Sequence, residues 1–395
     1  MKSERNWGRL GMKYKTYTLQ ELVTIKYGKN QKKVLDKNGT IPIYGTGGLI
    51  GWANNYLYDQ PSVLIGRKGT INKVKYVEHP FWTVDTLFYT KINKDIVIPK
   101  YLYYLMSLID FNQYNEGTTI PSLRTETLNR MKFSIPSLEY QQRILTYLNP
   151  IDKKIAINKM INNNLNQQTS AIFNKWFMPY ISRKISIPNE WKLKQISEID
   201  VIVTDYVANG SFKSLADNVQ YLSKETNNVL IRLTDYNNGF DADMVYISDA
   251  SYNFLAKSQL FGDEVIISNV GVNAGTVFRC PRLKKNMSLA PNAIMLSSKK
   301  YEHYLYAYFT SAYGQQLLQS IITGSVQPKF NKTNFRSLKV IIPSSYVLNC
   351  FNKLYSSIYE QIVQNQIENI YLIKLRDSLL PKLMSGKIDV SSINL

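Results

Sequence analysis

The segment of residues 139–177 constrains the possible fold of the chain more than any other segment does. Its apolar side chains recur at steps of three and four residues, which places them on one face of a helix. Asn158, Asn162 and Thr169 occupy the slots that continue this face. Polar positions within an apolar face predict a helix that selects one partner and one register. The alternative is a surface helix of a globular domain. The apolar positions are Ile144, Leu148, Ile151, Ile155, Leu165, Ile172 and Trp176.

A second copy of this segment lies near the C-terminus. Residues 117–136 align without gaps with residues 324–343, so that Gly117 meets Gly324 at an offset of 207 residues. The same offset carries through the helix, including its asparagines. Two copies of about 200 residues indicate a duplication rather than a solenoid, whose repeats run to about 20 to 50 residues. The matching positions of the second helix are Phe351, Tyr355, Ile358, Ile362, Leu372, Leu379 and Leu383, with Asn365 and Asn369.

The repeat predicts the fold class. Strand-like runs and glycine-rich turns alternate in each copy, so we expect an α/β (α+β) chain with two similar globular domains. The first domain is expected to hold one small, strongly curved sheet. The two long helices should separate the domains and pack as an antiparallel coiled coil about a pseudo-two-fold axis. The predicted boundaries are 1–138 for the first domain, 139–186 for the first helical spacer, 187–346 for the second domain, and 347–395 for the second spacer and C-terminal tail.

The predicted helix pairing suggests a spacer between two DNA readers. A helix of about 38 residues is roughly 57 Å long, and antiparallel pairing would put one domain at each end of it. Two such domains can read two short DNA tracts with an unread spacer between them. Pro150 is expected to kink the first helix or to begin a second helical piece. The residues predicted to pair are Ile144, Leu148, Ile151, Ile155, Leu165 and Ile172 with Tyr355, Ile358, Ile362, Leu372, Leu379 and Leu383.

The charge balance indicates a polyanionic partner. Lys and Arg total 48 against 29 acidic residues, a formal charge of +19. Part of this excess reflects a composition rich in Asn, Ile, Lys and Tyr. The remainder favours double-stranded DNA or an anionic membrane. No membrane is expected as a partner, because no run of about 18 apolar residues exists and the N-terminal residues MKSERNWGRL lack a signal-peptide core.

Cysteine and histidine are scarce. Cys280 and Cys350 have no CxxC spacing, and His79 and His303 are the only histidines of the sequence. Neither a metal site nor a disulfide framework is therefore expected. A reducing cytoplasm is the expected location.

The sequence lacks the motifs of common catalytic sites. The glycine run 45–51 does not fit G-x-G-x-x-G, because Ile50 occupies the last position, and no P-loop lysine follows it. A turn or a phosphate-contacting loop is the better interpretation. The triplet Asn149-Pro150-Ile151 is not the motif with which amino-methyltransferases hold a flipped base. No carboxylate pair has convincing spacing for metal-dependent cleavage, so a binding subunit is favoured.

Base reading requires donors and acceptors on loops that face a groove. Each candidate has a plain alternative as a solvated surface group. Arg67 and Lys68 stand out because Gly66 and Gly69 let the backbone approach a phosphate. The DNA-binding candidates of the first domain are Lys29, Asn30, Lys32, Tyr44, Thr46, Arg67, Lys68, Thr70, Lys73, Thr118, Thr119 and Arg124. Those of the second are Lys213, Ser214, Arg232, Asn269, Asn273, Ser325, Gln327 and Lys329.

Several stretches, taken in order and with the duplication, resemble the specificity (S) subunit of type I restriction-modification systems. The resemblance covers nearly the whole chain. It departs from the family at Asn72, where many relatives have a second glycine, and at Pro150, whose counterpart here is Ser357. The stretches are IPIYGTGGLIG (41–51), GRKGTINKVKYVEHPFWTVDTLFY (66–89), NQQTSAIFNKWF (166–177), IPNEWKLKQISEI (187–199) and LRDSLLPKLMSGKI (375–388).

The resemblance implies a DNA-recognition subunit that is not itself an enzyme. Each of two target-recognition domains would read one half of a split, asymmetric DNA site. The paired helices would bind two methyltransferase (modification) subunits, which restriction subunits join. S-adenosylmethionine, ATP and magnesium would then belong to the partners, and no cofactor is expected on this chain. Two other hypotheses stay open at this point: a duplicated coiled-coil scaffold without base readout, and a stand-alone restriction enzyme.

Overall fold

The computed structural model describes residues 14–240 and 244–391. These residues form two compact units, one within Met1–Lys153 and Lys374–Leu395 and the other within Lys154–Ile373. Helices and strands are mixed in both units, as the sequence predicted. Each of the two long helices contributes residues to both units.

The strands of the first unit fall into three small sheets, where the sequence predicted one curved sheet. Its strands are β1 Lys15–Thr18, β2 Val23–Tyr27, β3 Ile41–Gly45, β4 Gly48–Ala53, β5 Ser62–Gly66, β6 Lys75–Val77, β7 Trp82–Thr83, β8 Leu87–Ile92 and β9 Lys132–Ile135. Its short helices are α1 Leu19–Leu22, α2 Pro99–Ser107 and α3 Thr125–Arg130. The sheets have the strand orders β1-β9, β2-β8-β5-β6 and β4-β3-β7. The closely spaced turns cut the chain into strands too short to form one continuous sheet.

The first long helix, α4, runs without interruption over Leu138–Ile181, a length of 44 residues. Pro150 lies inside it and is exposed. The prediction that a second helical piece begins at Pro150 is therefore wrong. The proline removes one N–H from the helix ladder and crowds a carbonyl of the preceding turn, but burial of the apolar face on both sides of it stabilises the continuous helix.

The second unit repeats the plan of the first with extra elements. Its strands are β10 Lys192–Gln195, β11 Ile202–Asp205, β12 Tyr221–Leu222, β13 Asn228–Ile231, β14 Val245–Ile247, β15 Gln259–Leu260, β16 Val265–Ser268, β17 Val277–Arg279, β18 Asn286–Leu289, β19 Ala293–Ser297 and β20 Lys339–Ile342. Its helices are α5 Phe212–Asn218, α6 Leu233–Asn237, α7 Asp249–Phe254, α8 Glu302–Thr310, α9 Ala312–Gln319, α10 Lys332–Arg336 and the long α11 Ser345–Met384. The sheets have the orders β10-β20, β11-β19-β16-β17 and β12-β14-β13-β18-β15.

The opening strand of each copy pairs with the strand that precedes its long helix. β1 pairs antiparallel with β9, and β10 pairs antiparallel with β20. The same side-chain cap follows each opening strand. The Thr18 N–H donates to Glu21 at 2.8 Å, and the Gln195 N–H donates to Glu198 at 3.0 Å. These matched contacts agree with the internal repeat that the sequence predicted.

The two long helices pack antiparallel within the second unit. The Asn365 side chain donates to Asn162 at 2.8 Å, and the Asn158 side chain donates to Asn369 at 3.0 Å. Residue numbers thus rise along one helix as they fall along the other. The antiparallel pairing confirms that prediction, and the polar slots of the apolar face are buried, with Asn158 at 0% and Thr169 at 4% exposure.

The predicted apolar face enters a domain core at each of its ends. Ile144 and Leu148 lie in the core of the first unit together with Leu383. Phe173 and Phe177, which the predicted set omitted, are buried in the core of the second unit. The buried positions there lie one residue after the predicted Ile172 and Trp176, because the apolar face rotates gradually around the helix along its length. Of the remaining predicted residues, four are buried: Ile151, Ile155, Tyr355 and Ile362. Five are partly buried: Leu165, Ile172, Ile358, Leu372 and Leu379.

Candidate nucleic-acid interface

Two loops of the first unit are held together by backbone hydrogen bonds. One loop follows β5 and the other precedes α3. The Gly69 N–H donates to the Pro121 carbonyl at 2.9 Å, and the Leu123 N–H donates to the Arg67 carbonyl at 2.9 Å. Gly69 has a φ of 89°, which favours glycine. These loops, called here the first loop pair, keep their shape independently of most of their side chains.

The glycine run 45–51 forms a β-hairpin, which agrees with the predicted turn. β3 and β4 pair antiparallel with Gly45 opposite Gly48, and Thr46 and Gly47 form the turn between them. The Thr46 hydroxyl lies 3.6 Å from the position that a Cβ of Gly69 would occupy. The tip of the hairpin and the first loop pair therefore share one surface.

The second unit contains a loop pair with the same backbone frame. Its loops follow β16 and precede α10. The Gly271 N–H donates to the Pro328 carbonyl at 2.8 Å, and the Phe330 N–H donates to the Asn269 carbonyl at 3.0 Å. Gly271 also has a positive φ, of 91°. The duplication therefore extends from the helices to these loops, here called the second loop pair.

The two loop pairs carry different side chains on their shared frame. The matched hydrogen bonds show which residues correspond. Cationic and hydroxyl side chains of the first pair are replaced in the second by amide and apolar ones. Arg67, Lys68, Thr70 and Thr119 correspond in order to Asn269, Val270, Val272 and Val326.

The structure places many of the predicted DNA-binding residues on these loops. Thr46 lies at the hairpin tip beside the first loop pair. Lys73 lies at the far end of the loop that follows β5. The others lie apart from the loop pairs in the chain, with Lys29, Asn30 and Lys32 between β2 and β3, Lys213 and Ser214 in α5, and Arg232 before α6. Those on the loop pairs or directly beside them are Arg67, Lys68, Thr70, Thr118, Thr119 and Arg124 in the first unit, with Asn269, Asn273, Ser325, Gln327 and Lys329 in the second.

Tyr44 does not suit the role that the sequence analysis gave it. The residue is only 7% exposed. Its hydroxyl lies 3.4 Å from Nε2 of His79, and the Lys75 ammonium lies 4.1 Å from the centre of its ring. Burial raises the pKa of Tyr44 and lowers the pKa of Lys75. Tyr44 was predicted as a reader on a groove-facing loop, but it lies in β3 and its ring is buried.

Two second-domain candidates have structural hydrogen bonds. The Arg232 guanidinium donates to the buried carboxylate of Asp235 at 2.6 Å, and the Arg232 N–H donates to the same carboxylate at 2.8 Å. This arrangement caps α6. The Asn269 side-chain amide donates to the Phe330 carbonyl at 3.1 Å, which reinforces the second loop pair. To contact DNA, the side chains of Arg232 and Asn269 would have to break these hydrogen bonds or to share them with the DNA.

The arginines of the first loop pair are oriented by their neighbours. The Arg67 guanidinium donates to the Asp85 carbonyl at 2.8 Å and lies 5.3 Å from the ring centre of Tyr27. Arg124 forms an ion pair with Glu116 at 3.1 Å. A guanidinium held in one position loses less rotamer freedom when it binds a phosphate or a guanine edge.

Exposed apolar residues flank the candidate interface and were missed in the sequence analysis. Leu49, Ile50 and Trp52 on β4 are 50%, 51% and 44% exposed. Val272 and Val326 on the second loop pair are 90% and 96% exposed. The sequence analysis sought polar readers, yet apolar groups can contact the thymine methyl and β-ribbons can enter the major groove. The glycine-rich turn 45–48, directly after the strand-like run 41–44, was the available signal for the hairpin.

No metal or membrane site stands out in the part of the chain that the structure covers. Over residues 14–240 and 244–391, no group of three or more His, Cys, Asp or Glu side chains could hold a metal ion. Within the same ranges, no helix combines the length and the apolar character needed to cross a bilayer.

Known proteins resemble this chain in sequence and in fold. Residues 12–167 match the family described as the type I restriction modification DNA specificity domain. A specificity subunit of the type I restriction enzyme MjaIX, from Methanocaldococcus jannaschii, is 26% identical over 366 residues, covering 85% of this chain and 80% of the relative.

Over most of its length the chain is similar to specificity subunits of type I restriction-modification systems. A second relative, the HindI specificity subunit of Haemophilus influenzae, is 22% identical over 372 residues, covering 75% of this chain and 79% of that protein. The crystal structure of an S subunit from M. genitalium is similar in fold, with a TM-score of 0.52, 14% sequence identity, and coverage of 97% of this chain and 99% of the other. The likeness in fold extends over nearly the whole of both chains.

Proposed function

We propose that this chain is the DNA-reading subunit that directs methyltransferase and restriction subunits to a bipartite, asymmetric DNA site. The observation that carries the proposal is the pair of matched loop frames with different side chains. A shared frame suits a shared task, the approach to a DNA groove. Different side chains on that frame suit two different half-site sequences.

The charge distribution of the first loop pair supports contact with the phosphate backbone. Arg67 and Lys68 lie together between glycines, with Lys73 farther along the same loop. Each phosphate that a protein neutralises releases condensed counterions. The affinity therefore falls as the salt concentration rises, and each phosphate contact adds about 0.9 to the slope of log affinity against log salt. The formal charge of +19 favours the same class of partner.

The long helices are proposed to act as the spacer and as the docking surface for the catalytic partners. α4 presents Ile157, Met160 and Ile161 to solvent, and α11 presents Tyr371. Met160 is 73% and Tyr371 is 71% exposed. Apolar side chains of this size gain free energy when a partner covers them. In this proposal the chemistry, with S-adenosylmethionine, ATP and magnesium, resides on the partners, and the chain itself is not catalytic.

Reconstitution with a methyltransferase subunit tests this proposal. The chain alone, the methyltransferase alone and their complex are each incubated with DNA and labelled S-adenosylmethionine. We expect methyl transfer only with the complex, at sites that share two separated tracts. Methylation or cleavage by the chain alone would favour the stand-alone enzyme. Transfer by the complex without sequence preference would favour a scaffold that does not read bases.

A further inference from the structure

A buried arginine links the second domain to α11. Arg279, the last residue of β17, is 9% exposed. Its guanidinium lies 4.3 Å from the ring centre of Tyr359 on α11 and 4.4 Å from that of Tyr306 on α8. Both aromatic faces attract the cation, because each ring carries a negative quadrupole on its face. The guanidinium thereby joins a strand of the domain to the long helix.

Hydrogen bonds fix the orientation of this guanidinium. Its Nη1 donates to the Asp263 carbonyl at 3.1 Å and forms an ion pair with Glu302 at 3.3 Å. Its Nη2 lies 3.0 Å from Nδ1 of His303, and Nε2 of His303 lies 2.9 Å from the Ser356 hydroxyl on α11. Because an arginine N–H can only donate, Nδ1 of His303 accepts and Nε2 carries the proton. The chain of bonds thus continues from the domain into the helix.

A second arginine bridges the same two elements. Arg282 donates to both carboxylate oxygens of Asp263, at 2.8 and 2.9 Å through Nε. Its two terminal nitrogens donate to Glu360 on α11, at 2.8 and 2.6 Å. The Tyr359 hydroxyl donates to Asp263 at 2.9 Å. Forked contacts between a guanidinium and carboxylates are directional as well as strong. Arg279, Arg282, Asp263, His303, Tyr359 and Glu360 are called here the arginine cluster.

The first unit attaches its domain to the helices by different chemistry. Asp152 of α4 stands at the repeat position of Tyr359. Its carboxylate accepts from the Tyr104 hydroxyl and forms ion pairs with Lys100 at 3.4 Å and Arg376 at 3.3 Å. The helix therefore supplies a half-buried anion in the first unit, whereas the domain supplies a buried cation in the second. Neither arrangement can be exchanged for the other by single substitutions.

We propose that Arg279 and Arg282 are positioning residues that set the orientation of the second domain on α11, and so the number of base pairs between the two half-sites. The inference rests on the proposed function of the chain. The reason lies in the directionality of the contacts. The apolar core around Phe351 and Tyr355 also joins domain and helix, but apolar packing tolerates small rotations better than forked hydrogen bonds do.

The test is the spacer preference of the assembled methyltransferase. A plasmid library carries the half-sites of the wild-type complex with the natural spacer and with one base pair removed or added. Variants Arg282→Ala and Glu360→Gln are compared with wild type by long-read methylation sequencing. Glu360 is exposed, so Glu360→Gln perturbs folding least. The matched control is Lys285→Ala, which removes an ion pair with Glu225 at 2.9 Å, away from α11.

We expect wild type and Lys285→Ala to methylate one spacer length. Arg282→Ala should reduce the preference for that spacer over its neighbours by at least tenfold while the half-site sequences stay the same, and Glu360→Gln should act in the same direction more weakly. If the two cluster variants methylate all spacers less but keep the wild-type spacer preference, the arginine cluster has a purely structural role. That result would overturn the inference. Equal use of several spacers by wild type would also overturn it. A wild-type complex with no bipartite site would instead refute the proposed function.

Discussion

The side chain of Asn365 donates to that of Asn162 at 2.8 Å across the antiparallel helix pair. The repeat relates this contact to a second one, in which Asn158 donates to Asn369 at 3.0 Å. Since Asn158 corresponds to Asn365 and Asn162 to Asn369, the two contacts exchange under an internal two-fold axis. Buried amides of this kind select one register and one orientation, because any shift leaves them without partners.

Substitution at Asn162 tests this role. Asn162→Leu leaves the buried amide of Asn365 without its acceptor, which should lower the free energy of unfolding by about 1–3 kcal/mol. The double variant Asn162→Leu/Asn365→Leu should recover most of the loss, because both polar partners are then replaced by apolar groups. Denaturant unfolding of the four species in a double-mutant cycle measures the coupling, which we expect at about 0.5–3 kcal/mol. Strictly additive losses would show that the two amides do not depend on each other.

A chain that ends near Ser186 should pair with a second copy of itself. In an antiparallel self-pair, Asn158 of one copy faces Asn162 of the other, so both amide contacts are repeated. Glu368, which accepts from Asn158 and pairs with Lys154 at 3.2 Å, is replaced there by Ile161. We therefore expect a weaker but intact dimer by light scattering, and a symmetric methylated site in complexes with the methyltransferase.

The half-chain prediction has two clear failures. A monomer at micromolar concentration would show that the repeat does not suffice for pairing. An asymmetric methylated site would show that one copy of the domain reads both tracts.

Arg67→Ala should weaken binding of the assembled methyltransferase to its site by about 1–3 kcal/mol if the guanidinium contacts a base. If Arg67 instead contacts a phosphate, its loss should reduce the slope of log affinity against log salt by about 1. The sequence preference should then stay unchanged. Titrations at several salt concentrations separate the two roles. A control is Arg183→Ala, since Arg183 follows the end of α4. Affinity and salt dependence equal to wild type would remove Arg67 from the interface.

The His303 ring predicts a pH dependence of stability. Burial, together with the charge of Arg279, lowers its pKa from 6.5 to about 4, while Asp263 and Glu360 act in the opposite direction and Arg282 reinforces the lowering. The folded chain therefore binds fewer protons at this ring than the unfolded chain between pH 6.5 and 4. As the pH falls through this range, the free energy of unfolding should fall, by at most about 3 kcal/mol from this group.

The comparison of wild type with His303→Gln isolates this contribution. Glutamine keeps a donor and an acceptor but does not titrate. We expect the difference in free energy of unfolding between the two proteins to shrink as the pH is lowered from 7 to 4.5. A difference that stays constant would mean that His303 does not titrate in this range.

The repeat allowed the long helices and their antiparallel pairing to be predicted, because an offset shared by apolar and polar positions constrains both helices at once. The asparagine slots were predicted as polar interruptions and are buried contacts. The predicted pairing set omitted Phe173 and Phe177 of the core at one helix end, since they lie on a face that drifts from the earlier spacing. Such drift depends on the partner surface, which local periodicity does not describe.

The candidate interface was predicted in its outline, because glycines mark the loops that the structure brings together. The burial of Tyr44 could not be predicted, since it depends on contacts with His79 and Lys75, residues distant in sequence. The arginine cluster was missed for the same reason. Arg282 and Glu360 are 78 residues apart in the sequence, and a lone arginine just beyond a strand carries no local signal of its partner.

Long-read methylation mapping of cells that contain this chain and its methyltransferase partner tests the central claim most directly. The account predicts one bipartite motif with two different half-sites and an unread spacer of constant length, lost when this chain is deleted. A single contiguous motif, a palindromic motif, or methylation that persists without this chain would contradict it.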